Sequence, residues 1–225
     1  SDGFSDYEGP VNFTTSCDPF TGPFPFSENF DAGDWAPGSG FSNTGDAIDS
    51  CWRRTPDNDG SNFAWGTREN GTGSTNTGPS DDVSGGGNYL LAEGSNGSDG
   101  DEAVLNLPPI DLNNLTVPSI TFFYHIFYDP SNSGNVGTLS LEVKEITDLA
   151  YTEIFTITGS QQSASGDPFI ERFVDLTDYG FDDQIVDIRF KVVKSDGFSD
   201  IAIDEVSVEE APPCPQPDID DVTLV

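Results

Sequence analysis

Positive charge is what this chain has least of. Its 225 residues contain 8 Lys and Arg and one His against 40 Asp and Glu, a formal net charge of −32. Such a surface repels phosphate and sulfate, so nucleic acid and acidic membrane headgroups are not expected as partners. Strongly sulfated polysaccharides are disfavoured too, unless calcium bridges the contact. No apolar run approaches the ~18 residues of a membrane span, so membrane insertion is not expected. The three cysteines, Cys17, Cys51 and Cys214, include no close pair of the kind zinc sites use. The arithmetic gives one disulfide and one leftover thiol in an extracellular setting.

Catalytic signatures are equally scarce. The single histidine, His125, lies in a dense apolar strand, where a structural role is expected. There is no His-Glu-x-x-His motif, no Gly-x-Ser-x-Gly elbow and no defensible Ser/His/Asp order. Asp204 and Glu205 are neighbours on a strand, point to opposite faces and do not form the same-face pair that glycosidases use. With so many acids, a pair drawn from different strands stays open. The expected catalytic set is none.

What the chain does have is alternation. Helical periodicity of convincing length is missing, and Gly and Pro total 40 (24 + 16), which favours turns over helices. Leu139, Leu141 and Val143 alternate with polar residues, as do Val186, Ile188, Phe190 and Val192. Ile120 to Tyr128 is apolar on both faces, as a central sandwich strand would be. Further strands are read at 155–157, 170–176 and 201–208. Residues 32–101 are rich in Gly, Ser, Asn and Asp, with short strands at Phe63-Ala64-Trp65 and Asn88 to Glu93. Long loops of that composition are where binding sites sit. The organisation expected is a tail over residues 1–22, including a short strand at Val11–Thr15, one all-β domain over 23–210, and a stiff Pro-rich linker leading into a following module over 211–225.

Asp204 is the most informative single residue. Strand alternation puts it on the face of Ala202, Val206 and Val208. A carboxylate on an apolar face costs several kcal/mol unless paired or bound to a cation. Protein cations are scarce here, so a metal ion becomes a candidate.

Several anchors then occur in one order: Asn29-Phe30-Asp31, Cys51-Trp52, Phe63-Ala64-Trp65, Gly78-Pro79-Ser80-Asp81-Asp82, Gly87-Asn88-Tyr89-Leu90-Leu91, Phe122-Phe123-Tyr124-His125, and Asp200-Ile201-Ala202-Ile203-Asp204-Glu205-Val206. Over about residues 24–210 this series resembles a MAM domain, the module named for meprin, a neuronal antigen and a receptor tyrosine phosphatase. Cys17 lies further upstream than the family's first Cys, and a Gly/Asp-rich insertion separates Asp31 from Cys51. That spacing is similar to secreted multidomain proteins of Bacteroidetes, and the flanks resemble remnants of fibronectin type III modules. The expectation is a piece of such a secreted, extracellular array.

The resemblance implies a jelly-roll sandwich of two antiparallel sheets and a structural calcium ion held by Asp31, Asp82 and Asp204, with Glu93 and Asp101 in reserve. Oxygen ligands from separate segments suit calcium. It implies a Cys17–Cys51 disulfide, with Cys17–Cys214 as the rival, and core positions for Trp52 and Trp65. Asp57-Asn58-Asp59-Gly60 reads as an Asp/Gly turn or as part of a second calcium loop. Trp35, in the insertion, is the ring expected to be exposed for stacking on a ligand. The function expected is a non-catalytic, calcium-stabilised binding or adhesion module, taking a glycan or cell-surface ligand within a larger secreted protein. Alternatives are a protein–protein interaction or spacer module, and a jelly-roll carbohydrate hydrolase.

Overall fold

The computed structural model describes residues 17–40, 42–129 and 135–213. Twelve strands are present there: β1 Phe26–Glu28, β2 Arg53–Thr55, β3 Trp65–Glu69, β4 Asn88–Ala92, β5 Glu102–Asn106, β6 Ile110–Asp111, β7 Pro118–Ile126, β8 Thr138–Glu145, β9 Thr152–Thr158, β10 Ile170–Asp175, β11 Ile185–Val193 and β12 Ile201–Glu210. They form two antiparallel sheets. Sheet one runs β10-β7-β12-β4-β3 with β1 against β12, and sheet two runs β2-β5-β11-β8-β9 with β6 against β11. The fold is the all-β sandwich that the alternation indicates, of the jelly-roll type that the resemblance implies. Val11–Thr15, Phe41 and Cys214 lie outside the described residues.

Alternation builds the core. Ile120, Phe122, Tyr124 and Ile126 of β7 face Leu139, Leu141 and Val143 of β8 and Val186, Ile188, Phe190 and Val192 of β11, all buried in one cluster. Each such side chain contributes roughly 1.5–3 kcal/mol on leaving water. Trp52 and Trp65 are buried in the same cluster. The indole N–H of Trp65 donates to the Ala103 carbonyl at 3.1 Å, which satisfies the one polar atom it carries inward.

The segment just upstream of residue 23 is attached to the sandwich. Phe20 exchanges backbone hydrogen bonds with Pro109 and Asp111, and Cys17 is bonded to Cys51 with Cα atoms 5.4 Å apart. The disulfide staples the entry segment beside Trp52.

One feature of β12 changes its faces. Its pairing with β7 shifts between Asp204 and Ser207, where Glu205 adopts φ 48°. This is a β-bulge, and the extra residue breaks the period of two. Ile201, Ile203, Val206 and Val208 all point into the core, while Ala202 packs on the opposite face. Asp204 therefore shares a face with Ala202 but not with Val206 and Val208, which corrects the simple alternation.

Candidate functional site

The outer face of sheet one is not open to water. Tyr89, Leu91 and Ala202 form a second small core there, closed by Phe169. Two loops roof it. Residues 70–87 are tied down by Tyr89 Oη donating to Asn70 O at 2.7 Å and by Gly78 N donating to Phe127 O at 3.0 Å. Ser80 N donates to Ser165 O at 2.9 Å, which joins this roof to the 159–169 loop. His125 is sealed beneath, its ring 5.3 Å from Phe169. Burial pulls its pKa down to about 4. It is neutral at physiological pH and packs as a core ring.

Asp204 points under the same roof. Its Oδ2 accepts from Val83 N at 2.9 Å and its Oδ1 from Glu205 N at 2.8 Å. Burial pushes the carboxyl up to about 7, and the charges of Glu205 and Asp82 add to the rise. Asp82 lies in the adjoining glycine-rich turn. Its Oδ1 accepts from Gly87 N at 2.9 Å, and its Oδ2 from Ser84 N at 3.0 Å and Ser84 Oγ at 2.5 Å. Asp31 reaches the same turn from the end of β1, accepting from Asn88 N at 2.6 Å and Asn29 Nδ2 at 2.8 Å. Gly87 separates the two acids: a Cβ there would sit 2.0 Å from Asp31 Oδ1 and 2.9 Å from Asp82 Oδ2. Only glycine fits this approach.

The structure thus gathers the three acids of the expected calcium set at one end of sheet one. Their chemistry suits a hard cation: all donors are oxygens, and no Lys or Arg forms an ion pair with them among the described residues. Burial is the largest influence raising Glu205, and repulsion from Asp31 and Asp82 follows. Their geometry is not a finished cage. Each of the six carboxylate oxygens already accepts an N–H or O–H, and no group of three or more His, Cys, Asp or Glu among the described residues is disposed around one metal position.

The reserve acids lie elsewhere. Asp101 accepts from Ser98 N at 2.7 Å in an exposed turn. Glu93 follows β4 on the face of Tyr89 and Leu91 and meets Asp200, which precedes β12 on the face of Ala202 and Asp204. Sequence reasoning missed this buried pair: strand parity gives the two faces, and the Ile201–Ala92 register sets the acids opposite each other. The Asp57–Gly60 segment is an Asp/Gly turn in which Asp59 Oδ1 accepts from Ser61 and Asn62.

Trp35 is the clear correction. It is 5% exposed, its ring 4.8 Å edge-on from Phe30 and 5.4 Å from Trp52. A large ring beside two other rings gains more from packing than from water, so the insertion folds inward around it and it offers no face to a ligand.

Open space lies beside these acids. A cleft of about 510 Å³ is lined by Pro37, Gly38, Gly40, Asn43 and Arg68 to Gly71, with Gly73. Its walls are tied together by Arg68, which donates to Gly40 O at 3.0 Å and to Gly71 O at 3.0 Å. A second cleft of about 390 Å³ is lined by Asp31, Glu69 and Ser84 to Asn88. Glu69 belongs to both. Neither is lined by an aromatic ring. A third groove, about 740 Å³ and mostly apolar, lies at the other end between Val117, Phe173, Pro212 and Pro213.

Among solved structures, the K1 cleaved adhesin domain of Lys-gingipain from Porphyromonas gingivalis W83 is similar at TM-score 0.54 and 18% identity, over 84% of this chain and 99% of that one. The K3 cleaved adhesin domain of the same protein gives TM-score 0.46 and 13% identity, over 72% of this chain and 94% of that one. A cyclase from Fischerella sp. TAU gives 0.45 and 13%, over 73% and 88%. No curated protein sequence matches the chain. The likeness to the K1 domain shows the shared fold. No helix among the described residues is long and apolar enough to cross a membrane. The family model of the MAM domain, meprin/A5/mu, matches residues 46–215, and the chain belongs to the MAM domain family.

Proposed function

We propose that this domain is a non-catalytic extracellular adhesion module that takes a polar ligand, a glycan of the cell surface, in the two clefts that meet at Glu69. The observation that carries the reading is their lining. Two adjoining open clefts walled by glycine backbone, Asn70, Asn88 and Glu69 offer hydrogen-bond donors and acceptors on a frame that Arg68 ties together. That suits hydroxyl-rich ligands, held by hydrogen bonds instead of ring stacking. The adhesin name of the K1 domain supports the same class. Weak binding of this kind gains strength when modules repeat along a secreted chain. A glycan array probed with the whole chain should give hits that weaken at least tenfold in Glu69→Ala and Asn70→Ala. Hits unaffected by both variants, or no hits, would refute this location. Release of reducing sugar by the purified chain would favour a hydrolase instead.

Calcium belongs to the same proposal. A cation drawn to Asp31, Asp82 and Asp204 would offset their repulsion and stiffen the turn that walls the second cleft. An ion that binds only the folded state stabilises it by mass action. Calcium should raise the melting temperature of chelator-treated protein, and Asp204→Asn should remove most of that response. A melting temperature indifferent to calcium would reject the ion.

One observation favours a protein contact as a second reading. The groove at Val117, Phe173 and Pro213 is mostly apolar, and Phe173 is 43% exposed. A neighbouring module would bury it.

A further inference from the structure

We propose that Glu93 and Asp200 share one proton, and that this shared proton clasps the 70–87 loop to sheet one and makes its attachment sensitive to pH. Both residues are at least nine-tenths buried, and they oppose each other one step beyond the Ile201–Ala92 pair of β12 and β4, where Gly94 N donates to Asp200. Two buried carboxylates so placed repel each other unless a proton or a cation lies between them. The acceptor capacity says where the proton sits. Asp200 Oδ1 accepts from Gly94 N at 2.8 Å, and its Oδ2 accepts from the Thr77 hydroxyl. Glu93 Oε1 accepts from Ser95 N at 3.1 Å and Ser95 Oγ at 2.8 Å. Glu93 Oε2 alone is buried without a partner among the described atoms. A proton on that oxygen, donated to Asp200, completes the set.

The surroundings support the same state. Arg68 on β3 is the cation near the pair, and its guanidinium is engaged by Gly40 O, Asn43 Oδ1 and Gly71 O. Tyr89 on β4 feels both acids and Asp81 of the roofing loop, and its phenol is held protonated, mainly by burial. Burial, then the charge of Asp200, pushes Glu93 up to about 8. Burial raises Asp200 as well, against the opposing hydrogen bonds from Thr77 and Gly94.

The loop is held through this pair. Thr77 belongs to the 70–87 segment, and the adjacent Gly78 leaves room only for hydrogen: a Cβ there would lie 3.4 Å from Asp200 Cβ and 2.4 Å from Thr72 Cγ2. When Glu93 releases its proton to solvent, two buried like charges face each other and the clasp is weakened. The sign follows from a raised carboxyl value. The stabilisation is complete below the unfolded value near 4.5 and is lost as pH rises through about 8. The loop carries Asp82 and walls both clefts, so a consequence for ligand binding rests on the adhesion reading. The clasp itself does not.

The test uses the whole chain in chelator. The Glu93 side-chain carboxyl carbon, followed by NMR, should titrate well above the ordinary carboxylate range. Protection of the Gly94 and Gly78 amides, corrected for intrinsic exchange, should fall up to about tenfold per pH unit as pH rises from about 6 to 8. In Glu93→Gln, whose amide donates to Asp200 at every pH, that slope should vanish. Thr77→Val keeps the pair but removes a donor to Asp200, so the Glu93 midpoint should rise further. A Glu93 midpoint in the ordinary range, or a slope that survives in Glu93→Gln, would overturn the clasp. So would a saturable calcium shift of the Glu93 carbon, which would put a cation in the proton's place. Loss of glycan binding with these signatures intact would count against the adhesion reading alone.

Discussion

The two outer faces of the sandwich solve the same electrostatic problem in opposite ways. Each carries buried acids. On sheet two, Glu142 is 5% exposed and Asp187 8%. Glu142 receives Arg189 at 2.6 Å and Lys191, and Asp187 receives Arg53, the Tyr151 hydroxyl at 2.8 Å and Asn106 at 3.0 Å. On sheet one, Glu93, Asp200 and Asp204 are buried under loops and form no ion pair among the described residues. The outcome differs in sign. Glu142 is desolvated, but its bonds to Lys191 and Arg189 outweigh that and hold it below the usual carboxylate range. Glu93 rises to about 8 and Asp204 to about 7. With 8 Lys and Arg in the whole chain, three of them serve sheet two, and the acids of sheet one are left to protons, backbone amides or an ion.

The largest effect should come from breaking the matched face. Arg189 donates to Glu142 Oε2 through Nε, holds Nη2 2.6 Å from the same oxygen, and lies 3.7 Å over the Tyr151 ring. Arg189→Met leaves Glu142 buried with Lys191 alone. Removing one partner of a buried pair costs about 3–5 kcal/mol, and the remaining lysine should hold the loss near ~2–3 kcal/mol. Urea unfolding of the single variants and of Arg189→Met/Glu142→Leu should show strong coupling, with the double variant closer to wild type. A single-variant loss below about 1 kcal/mol would put this network among ordinary surface pairs.

The unmatched face should show itself through pH. In chelator, Glu93 and Asp204 have raised values, so their stabilisation is complete below the unfolded carboxylate range and lost as pH rises through about 7 for Asp204 and about 8 for Glu93. His125 is lowered to about 4; its contribution is present above about 6.5 and lost as pH falls through 4. Glu142 acts as His125 does, losing its contribution on the acid side. Between the ordinary carboxylate range and about 7 both of these acids act, and from about 7 to about 8 Glu93 acts without Asp204; stability should fall by up to ~1.4 kcal/mol per pH unit for each over its own range. Melting curves from pH about 6 to 8.5 should slope downward, and Glu93→Gln with Asp204→Asn should flatten them. A flat wild-type profile in chelator would mean that the roofed acids are solvated.

How much of this was legible from the sequence depends on what each residue answers to. Clean alternation at 139–143 and 186–192 reports sheet burial directly, so the sandwich and its core could be read. Trp52 and Trp65 were read as core because the family places them there. Three features resist such reading. Arg53–Thr55 is a three-residue strand without apolar alternation, held by pairing to β5 and by the ion pairs of its two arginines. The bulge at Glu205 depends on tertiary pairing, and it reverses the faces of Val206 and Val208. Trp35 sits beside Asp34, Gly33 and Pro37 in sequence, but the chain turns back so that the Phe30 and Trp52 rings cover it. The Glu93–Asp200 pair was within reach, since Glu93 follows the parity of Tyr89 and Leu91. What hid it was the number of acids: among 40, no composition singles out the two that meet.

The smaller effects concern Asp187, whose partners differ in exposure. Tyr151→Phe removes a half-buried hydroxyl that donates to Asp187 at 2.8 Å. Burial and the bond to Asp187 push that phenol up to about 12, so it stays a donor across the physiological range. The loss should be about 1–2 kcal/mol, since a hydrogen bond to a charged group is given up.

Arg53→Ala should cost least. Its side chain is 49% exposed and its nitrogen is 3.4 Å from Asp187 Oδ2. At that exposure water and salt screen the pair, and such contacts contribute about 0–1 kcal/mol. Asp187 also keeps Tyr151 and Asn106 when Arg53 is gone, so no buried oxygen is orphaned. The expected loss is at most about 0.5 kcal/mol, and it should shrink as salt is raised past the point where the Debye length falls below about 10 Å. Unfolding in urea at two salt concentrations checks this. A loss as large as that of Arg189→Met, unchanged by salt, would show that the charge of Asp187 depends on a specific cation. The matched face would then owe its stability to scarce charge at every position, and not to the half-buried hydrogen bonds that Arg189 and Tyr151 make.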